Sequence, residues 1–388
     1  MRFIVVGPTY PLRGGIAHFT TLLVKKLREQ GHFTHLYTFI RGYPGLLYPG
    51  ATNSDPSSES LFVEAIPTIH PLQPWTWIKT ARNIIADHPD AVILEWWVLF
   101  WAPFLILLAV GLRRVGILVI IDCQNVLPHD RSIIDRLLTS ITLRQGDICL
   151  VYSTAHELEL LDLLPEMSHK LLPFPIFGPL ARPTPSSHDL KAKLGLSDIP
   201  TLLFFGFVRP YKGLSVLIRA LEKVNRSMAV HLLIVGEFWE SSKSYRKLIK
   251  KLGLGEKVAI IDRYIPDEEI SDYFGAADAV VMPYLEPVQS GVLALSQAYR
   301  KPVIASRVGG LLDSIEEEKT GLLFEARNED ELAKTILRFY QDDFRNRMKP
   351  FLEKVDQDAA WMTLVQALTT IIDANKPGAY RNKSNHQF

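Results

Sequence analysis

Cysteine is scarce in this chain of 388 residues, which contains only two. Both, Cys123 and Cys149, lie inside apolar runs and are interpreted as buried thiols. Small secreted proteins that depend on disulfides contain many more cysteines than this. The composition therefore argues against a disulfide framework and favours a reducing compartment, which predicts a cytoplasmic location.

An excess of charge of one sign is also lacking. The chain has 43 basic and 42 acidic side chains, and its formal net charge is +1. Proteins that bind nucleic acid through their overall field normally carry a basic excess. We therefore expect no nucleic-acid partner, and an anionic ligand would have to be held by a few local cations.

Long apolar runs are few, and none has the form of a clear membrane span. The run Phe3–Val6 has four residues, which is too short for the core of a signal peptide. Seventeen uncharged residues separate Glu95 from Arg113, but Pro103 interrupts them and their number is at the lower limit for a span.

Two interpretations stay open for the apolar segment 96–112. It is either a helix buried against a sheet or a helix that touches a bilayer surface. The second interpretation predicts reversible, peripheral contact with the cytoplasmic membrane face, because basic residues occur in the same half of the chain. These are Lys25, Lys26, Arg28, Arg113 and Arg114.

Strand and helix patterns alternate along the whole chain, which is typical of doubly wound α/β folds. Apolar runs that predict strands are RFIVVG, AVILEW, ILVIIDC and DICLVYS, and then TLLFFG, HLLIVG, KVAIID, DAVVMPY and KPVIAS. The first helix is predicted from about His18 to Glu29. The segment 178–190, with three prolines and two serines, is the best linker, and the length fits two domains.

Arg209 and Lys212 lie between a predicted strand and a predicted helix. The strand, 202–206, ends at Gly206, and apolar residues then recur at helical spacing from Leu214 onward. Open parallel sheets bind ligands at the carboxyl ends of their strands. Two cations in such a loop predict a ligand that carries phosphate, whereas a solvated basic turn is the simpler alternative.

Two further loops offer backbone amides to an anion. Gly14 and Gly15 lie between the first strand and the first helix, where paired glycines indicate either a phosphate loop or only a tight turn. Ser290 is a good N-cap for a helix that begins at Gly291 and Val292, whose N–H groups could receive a diphosphate. A plain capped helix is the alternative at this second position.

Four segments resemble successive blocks of the group 1, retaining nucleotide-sugar glycosyltransferases of the GT-B fold. They are GFVRPYKGL, ADAVVMPYLEPVQSGV, KPVIASRVGGLLDSI and KTGLLFEARNEDELAKTI. The GGI loop and DCQNVLPHD are similar to the acceptor-domain blocks of that family. The resemblance therefore covers nearly the whole chain.

The resemblance implies an α/β, GT-B protein with two Rossmann-like domains facing across a cleft. Residues 1–180 would bind the acceptor, 190–345 would bind the nucleotide-sugar, and 346–388 would form a helix that packs back toward the N-terminal domain. Residues placed like Arg209, Lys212 and Glu286 contact the donor in this family. The predicted donor-binding set is Gly206, Arg209, Lys212, Glu286, Ser290, Gly291 and Val292.

A retaining transferase of this kind is thought to need no protein nucleophile, because the nucleoside diphosphate is already a good leaving group. Arg209, Lys212 and the helix terminus at Gly291 would stabilise the negative charge that develops on it. We therefore expect a metal-independent enzyme of polysaccharide biosynthesis with no cofactor besides the nucleotide-sugar co-substrate. Its second partner would be a glycan or a lipid-linked acceptor.

The chain departs from the family pattern at two positions. Many members have two glutamates eight positions apart. Here the residue eight positions after Glu286 is Ala294, so the second glutamate is missing. Many also have a histidine where this chain has Gln124, although His129 remains in the same block. We predict Gln124, His129 and Glu286 as catalytic residues. The departures leave a second hypothesis open, a weakened relative that binds nucleotide-sugar or glycan as an assembly module.

A metal site is not expected. Asp356 and Asp358 form a D-x-D pattern, which binds metal in another transferase fold, but here it precedes the last predicted helix. A hard cation needs several converging oxygen ligands. We therefore interpret these two aspartates as the exposed start of that helix.

Overall fold

The structure is a computed structural model that describes residues 1–42, 54–58, 61–127, 132–287 and 289–375. The described part of the chain divides into two compact units. The first contains the described residues of 1–42, 62–173 and 358–375. The second contains 54–58, 61 and the described residues of 174–357.

The first unit is built on a seven-stranded sheet in which neighbouring strands are parallel. Its strands are β1 (Arg2–Val6), β2 (Phe33–Phe39), β3 (Ile66–Ile69), β4 (Ala91–Trp96), β5 (Leu118–Cys123), β6 (Ile148–Val151) and β7 (His169–Leu171). Its helices are α1 (Gly15–Glu29), α2 (Pro74–Ala86), α3 (Ala102–Arg114), α4 (Ile133–Leu143) and α5 (Thr154–Leu163). The strand order β3-β2-β1-β4-β5-β6-β7 changes direction between β1 and β4, which is where doubly wound sheets bind ligands.

The second unit repeats this design with six parallel strands in the order β10-β9-β8-β11-β12-β13. The strands are β8 (Thr201–Phe205), β9 (His231–Val235), β10 (Val258–Ile261), β11 (Ala279–Met282), β12 (Val303–Ser306) and β13 (Gly321–Phe324). The helices are α6 (Ser187–Lys193), α7 (Leu214–Asn225), α8 (Lys243–Lys251), α9 (Ile270–Ala276), α10 (Gly291–Ala298), α11 (Gly309–Ser314), α12 (Glu329–Gln341) and α13 (Phe344–Glu353). Here the order changes direction between β8 and β11.

The last helix of the described chain, α14 (Ala359–Asn375), packs on α1 within the first unit. The rings of Trp361 and Phe19 lie 5.3 Å apart, and Lys26 pairs with Asp358 at 2.8 Å. The apolar face of α14 thereby becomes part of the core of the first unit. Asp356 and Asp358 are exposed just before this helix, as the sequence predicts.

Helix α3 shows how the apolar segment 96–112 is accommodated. Most of its apolar side chains lie in the core under the sheet, namely Ala102, Phe104, Leu105, Leu108, Ala109 and Leu112. Of the two interpretations of this segment, burial therefore accounts for most of α3. In the described ranges, no helix is both long enough and apolar enough to cross a bilayer.

All nine strands predicted from apolar runs are present, and α1 begins three residues before its predicted start. The segment 178–190 differs from the predicted linker. Ser186 caps α6 through the N–H of Asp189, and Leu190 is buried. The segment belongs to the second unit, and its three prolines precede α6 without interrupting it.

Candidate active site

Strand β8 ends beside a loop that gathers three of the predicted donor-binding residues. Gly206 directly follows β8 and has a φ of +91°, which favours glycine. A Cβ atom built on Gly206 would lie 3.1 Å from Nζ of Lys212 and 3.2 Å from Cγ2 of Val292. The ammonium group and the side chain of Val292, in the first turn of α10, therefore both lie next to Gly206. We call Gly206, Arg209, Lys212 and Val292 the cationic cluster.

A second glycine fixes this loop against the end of β11. Gly213 has a φ of +69°, and a Cβ atom built on it would lie 1.9 Å from the carbonyl oxygen of Pro283. The N–H of Leu285 donates to the carbonyl oxygen of Tyr211 at 2.7 Å. Because β8 and β11 are neighbours at the switch point, these contacts hold the two carboxyl-end loops in one arrangement.

The ammonium group of Lys212 is buried, since only 7% of the residue is exposed. Burial, followed by repulsion from Arg209, lowers the pKa of Lys212 to about 7. The nitrogen lies 5.7 Å from the ring centroid of Tyr284, within cation–π range. Among the described residues, no acidic group contributes to the pKa of this lysine. A bound anion would therefore supply the compensating charge.

Arg209 is held by residues that the sequence analysis did not single out. Its guanidinium carbon lies 4.1 Å from the centroid of the Trp239 ring. The indole N–H of Trp239 donates to Oε2 of the buried Glu237 at 3.3 Å. Both residues follow β9, the sheet neighbour of β8. The available signal was the acid and the tryptophan in GEFWE, directly after a predicted strand.

Ser290 caps α10, as predicted. Its Oγ accepts a hydrogen bond from the N–H of Leu293 at 3.3 Å and lies 3.1 Å from the hydroxyl of Tyr284. The N–H groups of Gly291 and Val292 lie in the first helical turn, where an α-helix supplies no backbone acceptor. The helix dipole adds a partial positive charge at the same place. An oxyanion is favoured there.

Glu286 is half-buried in the loop between β11 and α10. Burial raises the pKa of Tyr211; Arg209 opposes this shift, and Glu286 adds to it. Glu286 and Arg209 therefore act on the same tyrosine. Ala294, where many relatives have a second glutamate, is a buried residue of α10.

Gln124 lies in the first unit, just beyond the end of β5, and is 4% exposed. Its side-chain nitrogen donates to Oε2 of Glu95 at 3.3 Å and to Oδ1 of Asp122 at 3.4 Å. Both carboxyl groups are fully buried. Burial raises the pKa of Asp122 to about 7 and that of Glu95 well above its ordinary value. These two acids were not identified as site residues from the sequence.

The remaining predicted residues have mixed outcomes. Gly14 is the N-cap position of α1 with a φ of +114°, and Gly15 is the first residue of that helix. Both therefore lie at the carboxyl end of β1, in the first unit. His129 lies outside the described residues, as does Asp130.

Two doubly wound parallel sheets, of seven and six strands, are the architecture of the GT-B fold. Solved structures agree with this fold. A sucrose-phosphate synthase from Thermosynechococcus elongatus has a TM-score of 0.72 at 19% identity, over 96% of this chain and 100% of that one. The Anabaena protein HepE in complex with UDP-glucose has a TM-score of 0.72 at 17% identity, over 95% of this chain and 100% of the other.

Residues 199–342 match the family model described as glycosyl transferases group 1. A curated D-inositol 3-phosphate glycosyltransferase of Catenulispora acidiphila is 30% identical over 213 residues, which are 50% of each chain. The same enzyme of Corynebacterium efficiens is 30% identical over 43% of this chain and 41% of its own. The match thus spans about half the length of these relatives. The chain is related to the group 1 glycosyltransferases, and its fold is GT-B.

Proposed function

We propose that the protein is a retaining glycosyltransferase that moves a sugar from a nucleotide-sugar to a glycan or a lipid-linked acceptor. The observation that carries this proposal is the cationic cluster. A buried ammonium, a guanidinium and the first turn of α10 occur together at the carboxyl end of β8. The diphosphate of a nucleotide-sugar has the charge and the acceptor oxygens that fit all three.

The proposal divides the work between the two units. The second unit binds the donor through the cationic cluster, Glu286, Ser290 and Gly291. The first unit binds the acceptor through Gln124, His129 and the loop at Gly14. Similarity to proteins named as a sucrose-phosphate synthase and as a complex with UDP-glucose supports the choice of a nucleotide-sugar as donor.

The chemistry needs charge stabilisation more than it needs a nucleophile. The bond between the anomeric carbon and the diphosphate oxygen breaks, and the acceptor hydroxyl oxygen forms the new bond on the same face of the sugar. The departing phosphate oxygen takes the acceptor proton. Arg209, Lys212 and the N–H groups of α10 stabilise the negative charge that accumulates on the diphosphate. We therefore propose that transfer requires no metal ion, so that a chelator leaves the rate unchanged.

A catalytically weakened relative is the second candidate. Two observations favour it: Ala294 supplies no carboxylate, and the side-chain nitrogen of Gln124 is engaged by Glu95 and Asp122. Such a protein would bind a nucleotide-sugar but would neither transfer nor hydrolyse it. Incubation with a panel of nucleotide-sugars, with and without acceptor glycans, separates the two candidates.

Donor binding is tested by thermal shift with uridine, guanosine and adenosine diphosphates. A ligand at 100 times its dissociation constant stabilises the native state by about 2.7 kcal/mol. We expect Lys212→Ala to weaken binding of the best nucleotide by about 1.5 to 3 kcal/mol, as for hydrogen bonds to charged groups. The matched control is Lys247→Ala, an exposed lysine on α8 of the same unit. Equal affinity in both variants would remove the proposed site.

We also propose reversible contact of the first unit with the cytoplasmic membrane face. Because α3 is largely buried, the proposal now depends on the neighbouring helix α4. That helix buries Thr139 and Thr142 and exposes an apolar row, in which Ile133, Ile134, Leu137 and Ile141 are 86%, 68%, 59% and 38% exposed. Arg113 donates to the carbonyl oxygen of Arg144 at 3.4 Å, so the basic end of α3 lies beside Arg144, which directly follows α4.

Flotation with anionic and neutral liposomes at low salt tests this contact. The wild type should float with anionic vesicles, and the double substitution Ile134→Asp with Leu137→Asp should abolish flotation. Leu158→Asp is the control, because Leu158 is equally apolar and 63% exposed on α5. A wild type that stays in the soluble fraction with both vesicle types would contradict the proposal.

A further inference from the structure

Two carboxyl groups lie side by side in the interior of the first unit. Glu95 and Asp122 are partners in the parallel register of β4 and β5, and both are 0% exposed. A Cβ atom built on Gly7 would lie 2.5 Å from Cγ of Glu95. The end of β1 therefore has a glycine where the glutamate side chain passes. Any larger residue at position 7 would collide with the Glu95 side chain, so the fold accommodates this buried acid specifically.

Neighbouring elements direct hydrogen-bond donors at the pair, and within the described part of the chain Oε1 of Glu95 is buried without a hydrogen-bond partner. One side-chain nitrogen, that of Gln124, carries two hydrogens and donates to both acids. The hydroxyl of Tyr152, just after β6, donates to Oδ2 of Asp122 at 3.0 Å. Thr20 of α1 lies beside Glu95. Among the described residues, Tyr152 and Cys123 are the other titratable groups beside the pair, and burial and the charges of Glu95 and Asp122 raise the pKa of both.

Two adjacent carboxylates in a buried site cannot both be ionised at low cost. Water cannot screen them, and no cation of the described residues contributes to the pKa of either acid. Burial is the main cause of the raised pKa of both groups, and the charge of Asp122 adds to the shift at Glu95. The two acids therefore titrate as a unit that retains a proton in the neutral range.

We propose that Glu95 and Asp122 together hold one proton and that this singly ionised pair is the positioning device for Gln124. The amide nitrogen is directed at the two acids, so its oxygen is directed away from them and is the end offered to a substrate hydroxyl. Glu95 and Asp122 are positioning residues and do not touch the substrate. The part of this inference that concerns a substrate rests on the proposed glycosyl transfer.

The shared proton has a consequence for stability that does not depend on catalysis. The folded pKa of each acid is raised above its unfolded value of about 4, so the native state holds protons that the unfolded chain has released. Stability is then lost as pH rises from about 4 through the folded pKa values. Each retained proton changes the unfolding equilibrium by up to tenfold per pH unit in that window.

Glu95→Gln is the decisive variant, because it keeps the side-chain length and an acceptor oxygen but removes one ionisable group. We expect infrared difference spectra of the wild type at pH 7 to show the carbonyl band of a buried carboxylic acid. This band should be weaker in Glu95→Gln, in which Asp122 is the one acid of the pair that can still hold a proton. The unfolding equilibrium of the variant should also depend less steeply on pH than that of the wild type between pH 5 and 8. Asp162→Asn, an exposed carboxyl on α5, should change neither result.

Kinetics test the positioning role separately. If the protein transfers sugar, the alkaline loss of kcat in the wild type should move to higher pH in Glu95→Gln. Gln124→Ala should lower kcat by about tenfold in the wild type, as for one lost hydrogen bond. The same change should cost much less in a Glu95→Ala background. Equal costs in both backgrounds would overturn the positioning role.

The proton held by the pair can be overturned independently of the proposed function. Absence of the carboxylic acid band from the wild type, with identical pH dependence in wild type and Glu95→Gln, would overturn the shared proton. A protein that shows the band but releases no nucleotide from any nucleotide-sugar would instead contradict the proposed transfer.

Discussion

The two sheets bury side chains of opposite charge near the carboxyl ends of their central strands. In the second unit the cation Lys212 is buried just beyond the end of β8, and in the first unit the acid Asp122 is buried near the end of β5. Burial lowers the pKa of the lysine and raises that of the aspartate, and both values come to about 7. Similar burial therefore gives a site that favours anions in one unit and a site that retains protons in the other.

The two sites differ in the neighbouring groups that stabilise the buried side chain. Asp122 accepts hydrogen bonds from Tyr152 and Gln124, and in our proposal it holds one proton jointly with Glu95. Among the described residues, Lys212 has only the ring of Tyr284 and the repulsive Arg209. A buried charge that the protein leaves uncompensated is costly unless a ligand completes it. This contrast supports the proposal that the second unit binds the anionic donor.

The largest effect is expected from Gly213→Ala, which breaks the loop arrangement on the cationic side. The new Cβ would lie 1.9 Å from the carbonyl oxygen of Pro283 at a positive φ. We expect a loss of stability of about 3 kcal/mol or more, in the range of severe backbone substitutions, together with loss of nucleotide binding. Urea unfolding and thermal shift with a nucleoside diphosphate measure both effects.

Gly195→Ala is the matched control for that substitution. Gly195 has the same φ of +69°, but a Cβ atom built on it would meet nothing within 4 Å. Only backbone strain should then remain, which costs about 1 to 2 kcal/mol for a left-handed residue. If both variants lost the same stability, the contact with Pro283 would not be what holds the loop.

The next largest effect is a dependence of nucleotide affinity on pH, which we assign to Lys212 in the second unit. A bound diphosphate should raise the pKa of Lys212 above about 7, so the protein takes up a proton on binding. Affinity should fall as pH rises from 7 to 9, by up to about tenfold per unit. Calorimetry in buffers of different ionisation enthalpy detects this proton uptake. Lys212→Met should remove the slope, and an unchanged slope would assign it to another group.

The smallest effect concerns Glu286, which influences the same tyrosine as Arg209. Glutamine keeps the length of the side chain and one acceptor oxygen, whereas alanine keeps neither. We expect Glu286→Ala to lower kcat/KM by about tenfold, as for one lost hydrogen bond, and Glu286→Gln to lower it clearly less. Equal losses would show that the charge of Glu286, and not its acceptor oxygen, is what matters.

Local patterns predicted most of the fold. Nine strands followed from apolar runs, because buried parallel strands are apolar on both faces. The edge strand β7 was missed, since Lys170 and Leu171 are exposed and its three residues give no such run. Strand β2 was missed as well, because FTHLYTF mixes polar residues with apolar ones.

Local patterns predicted less of the site. Arg209, Lys212 and Ser290 were found because each sits at the junction of a strand and a helix. Glu95 and Trp239 were missed because their roles come from neighbouring strands. Glu95 faces Asp122 only through the register of β4 and β5, and Trp239 meets Arg209 only because β9 adjoins β8. Such pairs depend on sheet order, which no single segment of the sequence contains.

One measurement tests the central claim most directly: release of nucleoside diphosphate from a panel of nucleotide-sugars, with the anomeric configuration of the sugar product followed by NMR. The wild type should release nucleotide from at least one sugar donor, in the presence of chelator, and the product should keep the anomeric configuration of the donor. The Arg209→Ala, Lys212→Ala double variant should bind and turn over that donor at least about a hundredfold less well, as expected when two charge-assisted hydrogen bonds are lost. Release that is equal in wild type and double variant, or inverted configuration in the product, would contradict the account.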